Sequence, residues 1–429
     1  MSRVPGPWEF RRGYVRALLR RPLSEWLRDR RLPDPLAPDR WPARDDSRPR
    51  AIIQISPALQ PNGLPVSYGD VTMLEACRAE LSRRGFGVLV MTRVAGHAER
   101  IRAQRPSLFI DCAGFVYSAS HKRSMRGAHA AGITAANAAA ARAAGAVTVT
   151  APQTYGPFDG DEATELRARV CEMVANMDLV YARDPLSAQM IQDLTGAAAA
   201  QAPDTAFLYQ PPPVEQGQRI LAACGVEPGR PDAPVVGITP NRQLFDRWPG
   251  YMDAMEHLTR DLMAAGAQVV VIPHEQGRFG RREKHDQLLS RWLAERTGAA
   301  TLAKPGRLPR YAEVEHIHGI AAALGALDLL VSGRFHTALR ALAVGVPTLV
   351  FSWSHKFEAL LRTVELPPDE YVLRLSDFGP TAGGVGAQRL VEALRSRDQT
   401  RRHLLATVPG VRARCQEFFD RISERALQR

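Results

Sequence analysis

Residues 326–361 constrain the fold of this chain more than any other segment. Two apolar runs rich in Leu and Val, at 327–332 and 348–351, have the composition of buried β-strands. The segment between them has apolar residues at helical spacing and ends at a glycine, with a proline two residues beyond it, as helices do. After the second strand, Ser354 is the predicted N-cap of a helix that carries Lys356 in its first turn. This strand–helix–strand–helix order predicts an α/β fold with a parallel sheet.

Three side chains of this segment are suited to binding an anion and moving a proton. Arg334 and His336 follow the first strand directly, and Lys356 follows the second. In open parallel sheets ligands bind at the carboxyl ends of the strands, so these residues are predicted to meet at one edge. Arg and Lys bind carboxylates and phosphates, and His exchanges protons near neutral pH. The alternative is a surface loop whose histidine has only ordinary hydrogen-bond partners.

The rest of the sequence repeats the strand–helix alternation in two halves. Further strands are predicted at 51–55, 88–91, 108–110, 147–150 and 179–182 in the first half, and at 235–239 and 268–272 in the second. The prediction is an α/β chain of two Rossmann-like, doubly wound domains that face each other across a cleft, with a C-terminal helix. The predicted units are a basic N-terminal arm and linker at 1–50, a first domain at 51–212, a second domain at 230–395 and a basic helix at 396–429. Proline-rich segments at 211–213 and 228–234 bracket the predicted interdomain linker.

Arg183 lies where the first half is best suited to hold an anion. It ends a predicted strand, and Asp184 and Pro185 directly after it have the pattern of an N-cap followed by proline at the first helical position. Helix N-termini and strand ends both favour bound anions. The long loop after the first strand, 56–69, is also of a kind that usually serves binding.

The net charge of +11 is confined to the two ends of the chain. Residues 1–50 have a net charge of +6 and residues 395–429 one of +5, so the middle is neutral on balance. A nucleic-acid-binding protein would concentrate positive charge on a folded face, and none is predicted. The basic ends are either solvated, arginine-rich segments or regions that attract anionic lipid, for which residues 8–27 have a basic amphipathic pattern.

No targeting or metal-binding pattern is present in the sequence. No apolar run approaches the roughly 18 residues of a membrane span, and the N-terminus lacks the apolar core of a signal peptide. The five cysteines are scattered and form no CxxC pair, which favours reduced thiols and argues against zinc. We therefore expect a cytoplasmic protein with no metal and no tightly bound cofactor, in peripheral contact with the inner face of the membrane if the ends bind lipid.

An ordered series of motifs gives the chain a family resemblance. The series comprises Gly69-Asp70, PQTYGPF at 152–158, DLVYARDPLS at 178–187, Pro203-Asp204, VVGITP at 235–240, VVVIPH at 269–274, SGRFHTALRALAVGVP at 332–347 and Lys356 in SHKFEALL. In this order and spacing, the chain resembles the polysaccharide pyruvyl transferases of bacterial surface-glycan assembly. The resemblance covers roughly residues 51–365.

The resemblance implies a fold similar to that of the GT-B glycosyltransferases and a defined reaction. Members of the family transfer the enolpyruvyl group of phosphoenolpyruvate, a co-substrate, to a sugar as a cyclic ketal and release phosphate. By resemblance, Arg183, Arg334 and Lys356 bind phosphoenolpyruvate and His336 is the general acid. The implied acceptor is a glycan or lipid-linked sugar of a cell-envelope polysaccharide or exopolysaccharide.

Other polar residues are weaker candidates. His274 and Glu358 are predicted to line the cleft, and Asp70, Asp111, His121 and Tyr155 to face the acceptor. Each of these residues taken alone has a structural role as its alternative, and Asp204 is predicted to brace a turn after Pro203.

Two other functions fit the same fold. The first is a GT-B glycosyltransferase that uses a nucleotide sugar, in which Glu358 would bind the ribose hydroxyls. The second is a non-catalytic member of a glycan-assembly complex, for which the joint presence of Arg183, His336 and Lys356 has no purpose. The sequence makes no prediction of the acceptor sugar or of the oligomeric state.

Overall fold

The computed structural model describes residues 47–55, 67–112, 114–119, 124–274, 286–303, 314–378 and 384–429. The basic N-terminal arm, and with it the predicted lipid contact, lies outside these residues. Within them, no helix combines the length and the apolar character that crossing a bilayer requires. All five cysteines are present as free thiols.

The first domain is built on a parallel sheet. Its strands are β1 (Arg50–Ile55), β2 (Gly87–Thr92), β3 (Leu108–Asp111), β4 (Val147–Thr150), β5 (Tyr181–Ala182) and β6 (Ala200–Gln201). The first four are ordered β2-β1-β3-β4, and an isolated parallel bridge between Val149 and Leu179 connects β4 to the β5–β6 pair. The strand order reverses between β1 and β3, and at such a point the connecting loops diverge and leave a crevice for ligands.

Helices cover both faces of this sheet. They are α1 (Tyr68–Arg83), α2 (Ala98–Gln104), α3 (Ser124–Ala143), α4 (Thr164–Ala175) and α5 (Pro185–Thr195), with short 3-10 turns at Asp161–Ala163 and Thr205–Leu208. The alanine-rich α3 packs closely against α4 because its small side chains let the two helices approach each other. The strands between the helices are almost completely buried, as expected for a parallel sheet.

The second domain has the strand order of a dinucleotide-binding fold. Its strands are β7 (Val235–Thr239), β8 (Gln268–Val271), β9 (Ala300–Thr301), β10 (Leu329–Ser332), β11 (Thr348–Phe351) and β12 (Val372–Leu373), in the order β12-β11-β10-β7-β8-β9. All its pairings are parallel. The order reverses between β7 and β10, so the segment after β10 that contains Arg334 and His336 lies at the crevice of this domain.

The helices of the second domain surround its sheet. They are α6 (Val214–Ala222), α7 (Arg242–Phe245), α8 (Tyr251–Ala264), α9 (Asp286–Thr297), α10 (Val314–Gly325), α11 (Phe335–Ala343), α12 (Lys356–Thr363), α13 (Pro368–Tyr371) and α14 (Val385–Arg395), with a 3-10 turn at Leu375–Asp377. The predicted fold class, α/β with parallel sheets in two domains, is confirmed.

A long terminal helix, α15 (Arg397–Leu427), connects the two domains. Its Arg412 donates hydrogen bonds to the carbonyl of Phe207 in the first domain (3.2 Å) and to that of Ala343 in the second (2.8 Å). Near its end, Phe418 packs edge-on against Tyr181 of β5, with 4.7 Å between the ring centroids. The predicted basic helix therefore forms part of the packing between the domains.

Three local predictions differ from the structure. The long loop predicted at 56–69 ends before Tyr68, where α1 begins, so Asp70 lies inside the first turn of that helix. Ser354 does not cap α12; the N-cap residue is His355, and the Ser354 carbonyl accepts the Phe357 amide. The proline-bracketed linker contains α6, which packs against α10.

Candidate functional site

Arg183 is fixed by the start of α5. Asp184 caps this helix by accepting a hydrogen bond from the Ser187 amide at 2.8 Å, and Pro185 occupies the first helical position, both as predicted. The side chain of Arg183 is 3% exposed, and its Nε donates to Thr154 Oγ1 at 2.7 Å. Its guanidinium also lies 4.0 Å from the ring centroid of Phe335 in the second domain. The arginine is thus held rigidly between the two domains.

Asp204 connects Arg183 to His336. Its Oδ2 accepts a hydrogen bond from Arg183 Nη1 at 2.5 Å and lies 3.5 Å from His336 Nε2, which is ion-pair distance. Its Oδ1 caps the 3-10 turn through the Ala206 amide at 2.9 Å, so the predicted bracing role is present as well. Burial alone would raise the pKa of Asp204, but His336 and Arg183 outweigh it and hold this pKa well below its usual range.

His336 lies at the closest approach of the two domains. It is the second residue of α11, whose start is set by the end of β10. Its imidazole packs directly against Gly69 in the first turn of α1, where a Cβ would overlap the ring. The position requires a glycine because the backbone of α1 and the ring are in contact. Gly69, Asp204 and His336 therefore form one interdomain contact.

Lys356 reaches the same region from α12. Its side chain is 5% exposed, and its Nζ lies 3.9 Å from the ring centroid of Phe115 and 4.1 Å from that of Trp353. Phe115 follows β3 in the first domain, whereas Trp353 follows β11 in the second. The ammonium group is thus placed between the domains.

A small cavity of ≈ 230 Å³ opens between these groups. It is lined by Arg183, Asp184, Asp204, Phe207, Phe335, Lys356, Ala359, Leu360 and Thr363. Nη2 of Arg183 is buried and has no hydrogen-bond partner among the residues that the structure describes. Buried guanidinium nitrogens are normally paired, so this atom indicates a place for an acceptor oxygen of a ligand.

A second histidine crosses the cleft beside the cavity. Nε2 of His355 lies 3.5 Å from Asp184 Oδ1 and 3.4 Å from Ser187 Oγ, at the N-terminus of α5. Burial lowers the pKa of His355; the Asp184 carboxylate opposes this, and the charges of Lys356 and Arg183 add to it. Because Asp184 follows Arg183 and His355 precedes Lys356, this contact fixes the two cation-bearing segments relative to each other.

The sequence profile described as polysaccharide pyruvyl transferase matches residues 68–355 of the chain. This range extends from the start of α1 to His355, and it includes both sides of the cleft. The chain belongs to the polysaccharide pyruvyl transferase family. It is therefore a transferase, as predicted. No curated protein sequence matches it significantly.

Solved structures show that this pyruvyl transferase family member has the GT-B fold. An alpha,alpha-trehalose 6-phosphate synthase from Burkholderia multivorans superposes with a TM-score of 0.52 at 10% identity, over 88% of this chain and 98% of that one. Anabaena HepE in complex with UDP superposes with a TM-score of 0.50 at 12% identity, over 87% and 100% of the two chains. At such low identity the likeness concerns the fold alone.

The structure brings together three of the four residues predicted for the donor site of this pyruvyl transferase family member. Arg183 and Lys356 line the cavity, and His336 adjoins it through Asp204. Arg334 lies at the N-cap of α11, and its Nη2 donates to the buried Asp286 Oδ1 at 2.6 Å. Its charge is thereby offset, so donor binding by Arg334 stays a prediction.

Two residues predicted to line the cleft have other partners. His274 is buried, with its Nδ1 2.5 Å from Thr337 Oγ1 and its ring edge-on to Tyr68. Glu358 lies in the first turn of α12, is 44% exposed and is 3.5 Å from Arg362 in the last turn. His274 contacts Thr337 of α11, the helix that carries His336. Glu358 is on the surface and forms no part of the cavity wall.

The residues predicted to face the acceptor are dispersed. Asp111 is fully buried and accepts hydrogen bonds from Arg93, Gln54 and Tyr117, each at 2.8 Å. Tyr155 is also fully buried, and its hydroxyl accepts a hydrogen bond from Gln153 at 2.9 Å. Asp70 is partly exposed in the first turn of α1, and His121 lies outside the described residues. The geometry of Asp111 and Tyr155 favours a structural role.

Several residues of the site were not among the predicted site residues. Asp204 was assigned only a turn, although a carboxylate is the expected partner wherever a buried arginine and a histidine meet. Gly69-Asp70 was part of the motif series, but the contact of Gly69 with His336 joins residues that are far apart in the sequence. His355 lies within the SHKFEALL motif and Phe115 follows β3, and neither residue carries a periodic signal of its own. Within the described residues, no group of His, Cys, Asp and Glu side chains is arranged to hold a metal ion.

Proposed function

We propose that this protein transfers the enolpyruvyl group of phosphoenolpyruvate to two hydroxyls of a sugar, forming a cyclic ketal on a cell-envelope glycan or its lipid-linked precursor. The observation that carries the proposal is the buried Nη2 of Arg183, which has no hydrogen-bond partner among the described residues. Arg183 and Lys356 both line the cavity. Membership of the pyruvyl transferase family supports the same reaction.

The charges of the donor suit the cavity. Phosphoenolpyruvate carries a carboxylate and a phosphate on a small carbon frame, so its site needs more than one fixed cation. Arg183 binds either group through paired hydrogen bonds, and Lys356 supplies a compact charge. Both residues line the cavity, so an anion bound there would lie close to two fixed positive charges.

We assign the role of general acid to His336, which adjoins the cavity through Asp204. Protonated His336 donates its proton to the methylene carbon of the donor, and the neighbouring carbon becomes an oxocarbenium-like centre. A first sugar hydroxyl adds to this carbon and phosphate leaves, after which a second hydroxyl closes the ring. Of the two hydroxyl protons, one restores His336 and the other leaves with phosphate. The ionised carboxylate of Asp204 lies 3.5 Å from Nε2 of His336 and helps to hold the ring in place.

A nucleotide-sugar glycosyltransferase is the second candidate function. HepE from Anabaena, which superposes on this chain, was solved in complex with UDP. In the present protein the residue proposed to bind a ribose, Glu358, instead faces Arg362 on the surface. The position of Glu358 favours the pyruvyl donor.

Thermal stabilisation of the purified protein tests the proposal. A ligand that binds only the folded state raises the Tm, so phosphoenolpyruvate at saturating concentration is expected to raise it by several degrees. Inorganic phosphate and UDP are measured beside it. Lys356→Met is expected to lose most of the shift, whereas Arg362→Ala, on the exposed side of the same helix, is expected to keep it. A shift with UDP and none with phosphoenolpyruvate would overturn the proposal in favour of the glycosyltransferase.

A further inference from the structure

Four aromatic rings surround the ammonium group of Lys356. Its Nζ lies 3.9 Å from the ring centroid of Phe115, 4.1 Å from that of Trp353 and 5.7 Å from those of Phe335 and Phe357. We refer to these four rings as the aromatic cage. Distances below about 6 Å place every ring within range of a cation–π attraction.

Phe115 is the one ring of the cage that comes from the first domain. It lies in the loop after β3, beside the point where the strand order of that sheet reverses, whereas the other three rings follow β10 or β11 of the second domain. Phe115 meets Trp353 edge-on, with 5.9 Å between the centroids. The cage is therefore complete only when the two domains are in contact.

The cage holds Lys356 in place without neutralising its charge. Aromatic faces attract a cation through their quadrupole and carry no net charge of their own. Lys356 is 5% exposed, so water screens its charge weakly, and the residue also lines the cavity with Arg183. The rings therefore fix the position of a charged group in the cavity wall.

We infer that Phe115 is a positioning residue that holds the Lys356 ammonium group at the donor site from the opposite domain, so that the site for the anionic donor is complete only in the closed cleft. The inference rests on the proposed function for the identity of the donor. The cage itself is a property of the protein alone and is tested without any ligand.

Lysine acetylation measures the cage directly, because the chain has only four lysines (Lys122, Lys284, Lys304 and Lys356). The protein is treated briefly with acetic anhydride, and peptide mass spectrometry gives the rate at each lysine. We expect Phe115→Leu to raise the rate at Lys356 about tenfold relative to the other three lysines. Phe115→Tyr, which keeps the ring, is expected to retain the wild-type rate. Phe158→Leu, which removes another partly buried ring of the first domain, is the matched control.

Donor affinity is measured on the same variants by titration of the Tm with phosphoenolpyruvate. Loss of one desolvated cation–π contact is worth about 1–2 kcal/mol, which corresponds to about 5- to 30-fold weaker binding in Phe115→Leu. Phe115→Tyr and Phe158→Leu are expected to bind as the wild type does. Salt dependence of binding is measured too, since a displaced ammonium group in exposed surroundings makes binding more sensitive to ionic strength.

The outcomes separate the inference from the proposed function. If the wild type is not stabilised by phosphoenolpyruvate, the proposed function fails, while the acetylation rates still decide whether the cage exists. If acetylation at Lys356 is unchanged in Phe115→Leu, or rises equally at all four lysines, the inference is overturned. The same holds if the wild type binds phosphoenolpyruvate and Phe115→Leu binds it equally well.

Discussion

The imidazole of His336 occupies the space in which any residue other than glycine at position 69 would carry its Cβ. The two residues come from opposite domains and from helices that both begin at the cleft. Their contact fixes the ring between the backbone of α1 and the carboxylate of Asp204. The proposed proton donor is thus positioned both by the missing side chain of Gly69 and by the carboxylate of Asp204.

Gly69→Ala is therefore expected to inactivate the protein and to cost about 1–3 kcal/mol of the free energy of unfolding. The new methyl group displaces His336, and a misplacement of about 1 Å costs about 100-fold in rate. Release of phosphate from phosphoenolpyruvate with a sugar acceptor measures the effect. Gly132→Ala is the matched control, because it also lies within a helix and its Cβ would meet only the flexible Arg169 side chain, at 3.4 Å. Equal activity in the two variants would contradict the proposed position of His336.

Asp204→Asn is expected to destabilise the fold and to weaken donor binding. Removing one partner of a buried ion pair costs about 3–5 kcal/mol, because Arg183 is left without a counter-ion. Urea unfolding at neutral pH measures this loss. Glu165→Gln, which breaks an exposed pair with Arg169, is the control and is expected to cost less than about 1 kcal/mol.

The pH dependence of the same pair provides an independent check. The folded-state pKa of Asp204 lies below its unfolded value, so its contribution to stability is complete above about pH 4 and is lost as the pH falls further. Asp204→Asn is expected to lack this part of the acid unfolding. Parallel acid-unfolding curves for the variant and the wild type would show that the carboxylate is not stabilised as described.

His355→Gln is expected to remove a different part of the pH dependence. The folded-state pKa of His355 is lowered chiefly by burial, so the unfolded chain takes up a proton first as the pH falls below about 6.5. The wild type therefore loses stability as the pH falls below about 6.5, and His355→Gln loses less. The Tm across this range is the measurement, with the exposed His257→Gln as control. A variant whose Tm falls as steeply as that of the wild type would rule out this role for His355.

Asp111→Asn separates a structural role from acceptor binding. Asp111 pairs with Arg93 inside the first domain, and both side chains are almost completely buried. The substitution is expected to cost about 3–5 kcal/mol of the free energy of unfolding, while the Tm shift with phosphoenolpyruvate is retained. A stable variant that transfers pyruvate poorly because its KM for the acceptor is raised would instead restore Asp111 to the acceptor site.

The sequence was sufficient to predict what local patterns encode. Apolar runs bounded by glycine and proline placed β7 and β11 at their observed limits, and the Asp184-Pro185 pair correctly predicted the start of α5. Arg183 and Lys356 were each predicted to bind an anion because both follow strands at the ends where ligands bind, and the family resemblance assigned them to one site.

Contacts between residues distant in the sequence account for what was missed. Asp204 was assigned to a turn, and that assignment holds, but its partners Arg183 and His336 are brought to it by two different domains. Asp111 lies at the end of a strand, as the predicted site residue Arg334 does. Arg93 and Tyr117 from neighbouring loops nevertheless bury it and donate hydrogen bonds to it. Spacing along the chain does not identify the side chains that form hydrogen bonds with a buried polar group.

The contacts of α15 with the two domains are the last to form as the chain is synthesised, because this helix follows every strand in the sequence. Cys415 of this helix lies against the carbonyls of Pro203 and Asp204, at 3.7 and 3.5 Å, and Arg412 bonds to both domains. Domains generally fold as they leave the ribosome, N-terminal first. Here the segment that packs against the Asp204 loop is translated after both sheets, so this loop is expected to stay uncovered until the residues from Arg397 onward have been made.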